Sequence, residues 1–432
     1  MRSRFTLLSF VLFALILGVA ADAPARDRDR AVYREPNEYP ILDEIVARRD
    51  SLAAAVDADQ AVADAAYEAG QEAHEDEDMS LRIDWSRIER PASPEAFKTR
   101  VVHLPPTPQY YTGSCWAFSA TSLMESEVIR LTGEEIKLSE MWLVYWEYVE
   151  KVRRWVREYG HSEVAEGSQS GAILDVYETY GAVPKDAYAG VLYADERHDH
   201  HHMIKAIKGY LKWAKKHDVW DEEIVIANTR QILDAHMGPP PETFTWGGRS
   251  WSPRAFLLEA LQLDMDAYVS CVSFMERPGY KFGDHCLLDV VDNWRRDADY
   301  LNLPLDQFRR VVREAIRRGY TVEIGGDNSE PGLDGYFDAA VIPSWDLPAD
   351  HIDQASREHR IRNGETGDDH GMHVVGHTRI DDRDWYLIKD SNRSSRLGQF
   401  KGYYFFDADY IAMKMLAVMV HKDVLRQIRA LR

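Results

Sequence analysis

The strongest constraint on the fold of this chain is a change in the period of its apolar residues. In the first half they recur at spacings of three and four. The stretches from Cys115, Leu138 to Gly160, Ala172 to Tyr180 and residues 203 to 236 all read as helix, and 305 to 318 repeats the pattern. Strand-like runs occupy 267–274, 319–324, 372–380, 384–390 and 401–407, several of them alternating with period two. Helices first and antiparallel-type strands clustered at the end predict an α+β fold, a helical lobe set against a sheet lobe.

The first helix begins at a thiol. Ala117, Ala120, Met124, Val128 and Leu131 keep helical spacing after Gly113-Ser114-Cys115-Trp116, and Gly133 is a stop signal. Cys115 therefore falls at the positive end of a helix dipole, where thiolate is favoured over thiol. An isolated cysteine is more often a small buried hydrophobe, so the case for a nucleophile needs partners. His370 directly precedes an alternating run, and a neutral imidazole there would take the proton of Cys115. The next strand ends at Asp390, a carboxylate able to orient the ring. Gln109, six residues before Cys115, has an amide to donate to an oxyanion together with the backbone N–H of Cys115. With sixteen histidines in the chain, spacing alone only suggests this constellation.

A net charge of −20 without a basic stripe argues against nucleic acid and against anionic membrane surfaces as partners. Arg2 and Arg4 precede the apolar run Phe5 to Val19, followed by Ala20, Ala21 and Ala23, the pattern of a secretory signal peptide over residues 1–21. The run is short for a membrane span. The expectation is an exported protein, periplasmic or secreted, with no membrane association after cleavage. Residues 22–80 are acidic and alanine-rich, a helical arm or removable pro-segment, with the run His74 to Asp78 near its end. Three cysteines leave at least one thiol unpaired within the chain; Cys271 and Cys286 are either bridged or both reduced and buried.

Other signals are weaker. His198 to His202 has metal-ligand residue types but reads as an exposed polar segment entering a helix, and residues 325–335 read as a turn. No metal site and no cofactor are expected. His373 reads as structural.

The segment Gln109 to Ser119 resembles the active-site helix of papain-like cysteine peptidases, Asp369 to His377 their histidine strand, and Trp385 to Ser391 the strand bearing their third catalytic residue. Leu138–Lys151, Tyr177–Tyr188, Gly238–Trp246 and Leu303–Gly325 are similar to landmarks of the bleomycin hydrolase and aminopeptidase C branch, in order from about residue 85 to 425. The resemblance implies a two-lobe papain-like domain over residues 81–432, with a large helical insertion at about 185–345. It implies Cys115 as nucleophile, His370 as acid/base, Gln109 in the oxyanion hole, and Gly167 and Ser168 where the family has a Gly-Gly pair that bonds the substrate backbone. Peptides or proteins are the implied substrates, and ring-like hexamers in the branch imply a homo-oligomer.

Three departures from the family pattern stand out. Asp390 replaces an asparagine and Asn392 a shielding tryptophan, which predicts a wetter His370 contact. Ser168 replaces a glycine, which predicts a narrower cleft. The branch's carboxyl-terminal arm, which meets the substrate's free amine and makes the enzyme an aminopeptidase, is represented here only by a short tail ending at Arg432. The expectation is a cysteine peptidase, aminopeptidase-like by resemblance and open to endopeptidase action through its short tail. The rival expectation is a weak or inactive peptidase-like binding or scaffold protein.

Overall fold

The computed structural model describes residues 31–34, 39–56, 80–193, 197–329 and 331–429. The apolar leader, the acidic run His74 to Asp78 and Arg432 lie outside the described residues. Of the amino-terminal arm, β1 (Ala31–Arg34) pairs antiparallel with β2 (Ser80–Ile83). Helix α1 (Pro40–Val56) buries Leu42 and Ile45, and its Glu44 pairs with Arg197 at 2.8 Å.

The helical lobe is built on α2 (Cys115–Thr132), α3 (Glu140–Arg157) and α4 (Ala172–Tyr180). Helix α2 stops at Gly133, which takes the left-handed φ of 77° and donates its N–H to the Ile129 carbonyl. Helix α3 starts at Ser139, whose Oγ accepts from the Trp142 N–H at 3.0 Å. The stretch expected as helix from 203 to 236 is two helices, α5 (His201–Lys216) and α6 (Glu222–Met237), which bury Ile207, Leu211, Val225 and Leu233 against α3 and its neighbours.

The sheet lobe takes up the second half. Its strands are β3 (Thr99–Arg100), β4 (Tyr268–Val272), β5 (His285–Cys286), β6 (Tyr300–Asn302), β7 (Val322–Gly326), β8 (Leu333–Asp334), β9 (Ala339–Ala340), β10 (His370–Ile380), β11 (Arg383–Lys389), β12 (Tyr403–Asp407) and β13 (Met415–His421). They form one eleven-stranded mixed sheet in the order β8-β9-β12-β11-β10-β7-β13-β4-β6-β5, with β3 also on β10. Helix α7 (Leu305–Arg317) buries Phe308, Val312 and Ile316 against Ile324, Met372 and Val418. Of residues 185–345, then, α5 and α6 extend the helical lobe, while the part from Tyr268 onward is woven into the sheet.

The lobes meet along α2, which lies on β10 and β7. At that seam His373 Nδ1 is 2.7 Å from Ser122 Oγ, the structural role expected of it. Cys271 and Cys286 are both buried and are not bridged to each other.

Candidate active site

Cys115 is the first residue of α2 and half-buried, and α2 lies on the strands of the sheet lobe. The chain reaches it through a tight turn. Gln109 donates its backbone N–H to the Ser391 carbonyl at 3.0 Å, Tyr110 takes φ 55°, and Thr112 Oγ1 lies 2.6 Å from Ser114 Oγ. Gly113 is pressed against the loop opposite: a Cβ there would lie 2.8 Å from Glu166 Cβ.

His370 is the first residue of β10, and Asp390 follows the last residue of β11. These strands are antiparallel neighbours with His373 opposite Lys389, so the beginning of one lies beside the end of the other. His370 Nε2 is 2.6 Å from Asp390 Oδ1. Cys115 stands beside the same ring and favours its charged form, and with Nε2 occupied the nitrogen left for the sulfur is Nδ1. Burial opposes charge on the imidazole, but the Asp390 carboxylate and Cys115 outweigh it and hold His370 well above the ordinary histidine value. Burial likewise pushes the Asp390 carboxyl up, and the imidazolium more than reverses this, leaving it below its ordinary value. Such a trio can keep a thiolate beside an imidazolium.

The contact expected to be wet is dry. Asp390 and His370 are both buried, although Asn392 itself is half-buried. Cover comes instead from the Gln109 turn, whose side-chain Oε1 accepts from Ser391 Oγ at 2.7 Å. Gln109 Nε2 donates to the Thr112 carbonyl at 2.6 Å, which uses one of its two amide hydrogens.

Gly167 and Ser168 lie across the cleft. A Cβ on Gly167 would come within 2.2 Å of Asp292 Oδ2, so any side chain there has to displace that carboxylate. Lys151 Nζ, buried on α3, donates to the Gly167 carbonyl and, at 2.8 Å, to that of Ala165. Ser168 does not narrow the cleft. Its Oγ donates to Glu147 Oε1 at 2.5 Å, and the same carboxylate receives Trp294 Nε1 at 2.6 Å and two Arg295 nitrogens at 2.6 and 2.7 Å. The buried anion has drawn the hydroxyl inward, because leaving a carboxylate short of donors is costly. Glu147 falls within the recognisable segment Leu138–Lys151, but its partnership with Ser168 and Arg295 was not legible in the sequence.

The histidine segment also differs from expectation. His198 and His200 are buried, since residues 198–200 dock on Tyr111 through its N–H to the His198 carbonyl at 3.0 Å and the His200 N–H to its carbonyl at 3.2 Å. His201 and His202 are exposed, as expected of the whole segment.

The carboxyl-terminal strand leaves this site. Met415 at its start is opposite Gly326, which is opposite His370, and His421 at its end is opposite Tyr268. At about 3.3 Å per residue the strand carries the chain ~20 Å away. Helix α10 (Lys422–Arg429) then buries Val424, Leu425 and Ile428 in the core beside α7; α8 (Gln354–Arg362) and α9 (Ala408–Lys414) precede it in the chain.

The model of the Peptidase C1-like family matches residues 58–430, spanning both lobes and every residue of the site. The chain belongs to the Peptidase C1-like family. Among its Peptidase C1-like relatives are aminopeptidase C of Lactobacillus delbrueckii subsp. lactis, 23% identical over 363 residues with 74% of this chain and 80% of the relative covered. Human bleomycin hydrolase is 24% identical over 342 residues, covering 66% of this chain and 72% of the relative. A solved structure of PepW from Lactobacillus rhamnosis superposes with a TM-score of 0.60 at 17% identity, over 77% of this chain and 85% of that one, and supports the papain-like fold. The protein is a cysteine peptidase of the bleomycin hydrolase and aminopeptidase C branch.

Proposed function

We propose that Cys115 is the nucleophile, His370 the acid/base, Asp390 the group that orients the ring, and Gln109 with the Cys115 backbone N–H the oxyanion donors. The observation that carries this reading is a single buried imidazole bonded to Asp390 through Nε2 at 2.6 Å and held in its charged form by Asp390 and by Cys115 beside it. The Cys115 thiolate attacks the peptide carbonyl carbon, and the developing oxyanion is met by the two N–H donors. The C–N bond then breaks as His370 Nδ1–H passes its proton to the leaving amine, leaving a thioester on Cys115. The now neutral imidazole takes a proton from water, the hydroxide displaces the thiolate, and the acid product leaves. The substrate backbone lies along Gly167 and Ser168.

For specificity, the reading supported best is a cleft that accepts chain on the amino side of the acylated residue. What supports it is the direction of β13 and α10, which carry the described carboxyl-terminal residues away from His370. The second reading, removal of single amino-terminal residues, is favoured by the similarity to aminopeptidase C. Cleavage of one peptide series with free and with acetylated amino termini decides between them. Activity confined to free termini would sink the first reading, and activity unchanged in Cys115→Ser would sink the mechanism. Equal, slow thiol labelling of all three cysteines would favour the scaffold reading. Export through the apolar leader and assembly into a homo-oligomer belong to the same proposal, and fractionation and light scattering test them.

A further inference from the structure

Four buried acids of this protein, Glu140, Glu147, Asp327 and Glu358, are each paired with a cation: Lys137, Arg295, Lys414 and Arg277 respectively. Glu323, like Asp338, has no such cation, and of the two it is Glu323 that stands beside the site. It is 3% exposed, and among the described residues it forms no ion pair. Its carboxyl is held by two hydroxyls instead, Ser119 Oγ at 3.1 Å and Ser170 Oγ at 2.5 Å, both on Oε1.

Its position joins three parts of the site. Ser119 lies one turn beyond Cys115 on α2, Ser170 lies two residues beyond Ser168, and Glu323 is on β7 beside the His370 strand, opposite His373. Successive residues of a strand face opposite ways. Val322 and Ile324 point into the sheet-lobe core, so Glu323 and Gly325 face α2 and the cleft. Two neighbouring positions have no side chain. A Cβ on Gly371 would lie 2.8 Å from Ser119 Oγ and 3.4 Å from Glu323 Oε1, whereas one on Gly325 would meet nothing within 4 Å. The face of β7 that carries Glu323 is therefore open at Gly325. A second acid, Asp368, stands two residues before His370, has no cation partner among the described residues, and is bonded by Gln169 Nε2 at 2.5 Å. Beyond Gln169, a groove of about 490 Å³ runs past Gly171, Ser270 and Tyr300.

We propose that Glu323 is a specificity-determining residue, the anionic floor of a subsite that takes a cationic lysine or arginine side chain of the substrate one residue before the acylated one. The proposal rests on the reading of Cys115, His370 and Gly167–Ser168 given above. An apolar side chain there would leave the carboxyl sealed from water with two hydroxyls and no cation, whereas an ammonium or guanidinium supplies the missing charge. Reach selects a side chain over a terminal amine. The α-ammonium of a bound peptide stays on the backbone along Gly167–Ser168, while the Glu323 carboxyl is buried against Ser119, Ser170 and Gly371. Burial raises the Glu323 carboxyl to about 8 in the absence of such a cation, and Asp368 to about 7.

The test is kcat/KM of the full-length protein on acetyl-dipeptide fluorogenic amides that differ only in the residue before the acylated one, arginine, lysine or leucine. Free-amine aminoacyl amides form a second arm. Wild type is expected to prefer arginine or lysine over leucine by about tenfold or more, and Glu323→Gln to bring that ratio toward one. A merely structural role lowers all substrates together and leaves the ratio where it was, which overturns the proposal. A wild type indifferent to the side chain also overturns it, as does a preference that follows the free amine whatever the side chain. Asp368→Asn provides an independent variant should Glu323→Gln fail to fold, and the same fall in ratio is expected. Cleavage of the leucine substrate without an arginine preference defeats this subsite alone. No cleavage of any member, with no faster labelling of Cys115 than of Cys271, defeats the catalytic reading as well.

Discussion

The Nε2 of His370 and the Oδ1 of Asp390 stand 2.6 Å apart with both side chains shielded from water, although the position that shields this contact in the family carries Asn392. A buried carboxylate at that distance favours the imidazolium more strongly than an amide does. Asp390→Asn should therefore keep the ring oriented, through the amide oxygen, while lowering the His370 pKa. The imidazolium is lost as pH rises through that value, so the alkaline limb of the kcat/KM profile should move to lower pH by about one unit or more. Asp390→Ala, which removes the acceptor, should cost about 10²-fold or more in kcat. A limb that stays in place in Asp390→Asn would deny Asp390 its electrostatic role.

Ser168 was expected to crowd the substrate, and its hydroxyl instead serves Glu147. Ser168→Gly should leave KM within about threefold, because no atom is removed from the cleft. It should lower stability by about 1–2 kcal/mol, since one donor to a buried carboxylate disappears. Urea denaturation paired with KM measurement checks both halves. A marked fall in KM would mean that the side chain does narrow the cleft.

Arg295 is the principal cation of Glu147, and truncating it leaves a buried charge unpaired. Arg295→Ala should cost about 3 kcal/mol at neutral pH. Burial pushes the Glu147 carboxyl up, but Arg295 holds it below its ordinary value. The stability this contributes is present above the ordinary carboxylate range and is lost as pH falls through the lowered value. In the variant burial is opposed only by Lys151 and the remaining hydrogen bonds, and Glu147 protonates at higher pH, so the difference from wild type should narrow on acidification. Denaturant midpoints between pH 7 and pH 4 test it, and a constant difference would place the Arg295 effect elsewhere.

At Gly167 a Cβ would sit 2.2 Å from Asp292 Oδ2. Gly167→Ala should displace Asp292 or the loop itself and raise KM, while Cys115 remains as reactive toward a small alkylating agent. Equal loss of alkylation would show that the substitution reaches the thiol instead.

The local parts of this protein were legible without its structure. Apolar spacing and Gly133 delimited the helix that begins at Cys115, and alternation marked the strand that begins at His370, because helix and strand periods are properties of neighbouring residues. The partnership of Cys115, His370, Asp390 and Gln109 was readable through resemblance, since those residues stand in recognisable segments. What the sequence alone misjudged were directions and cover: the inward turn of Ser168, the dryness of Asp390 and the burial of His198 and His200. Each depends on residues far away in the chain, Glu147 for Ser168, Gln109 for the turn over Asp390, Tyr111 for the histidines. The uncompensated carboxyl of Glu323 belongs to the same class. Whether a buried acid has a cation beside it is decided only when α2, β7 and the Ser168 loop converge, because desolvation and Coulomb forces act on distances in space, and spacing along the chain does not encode them.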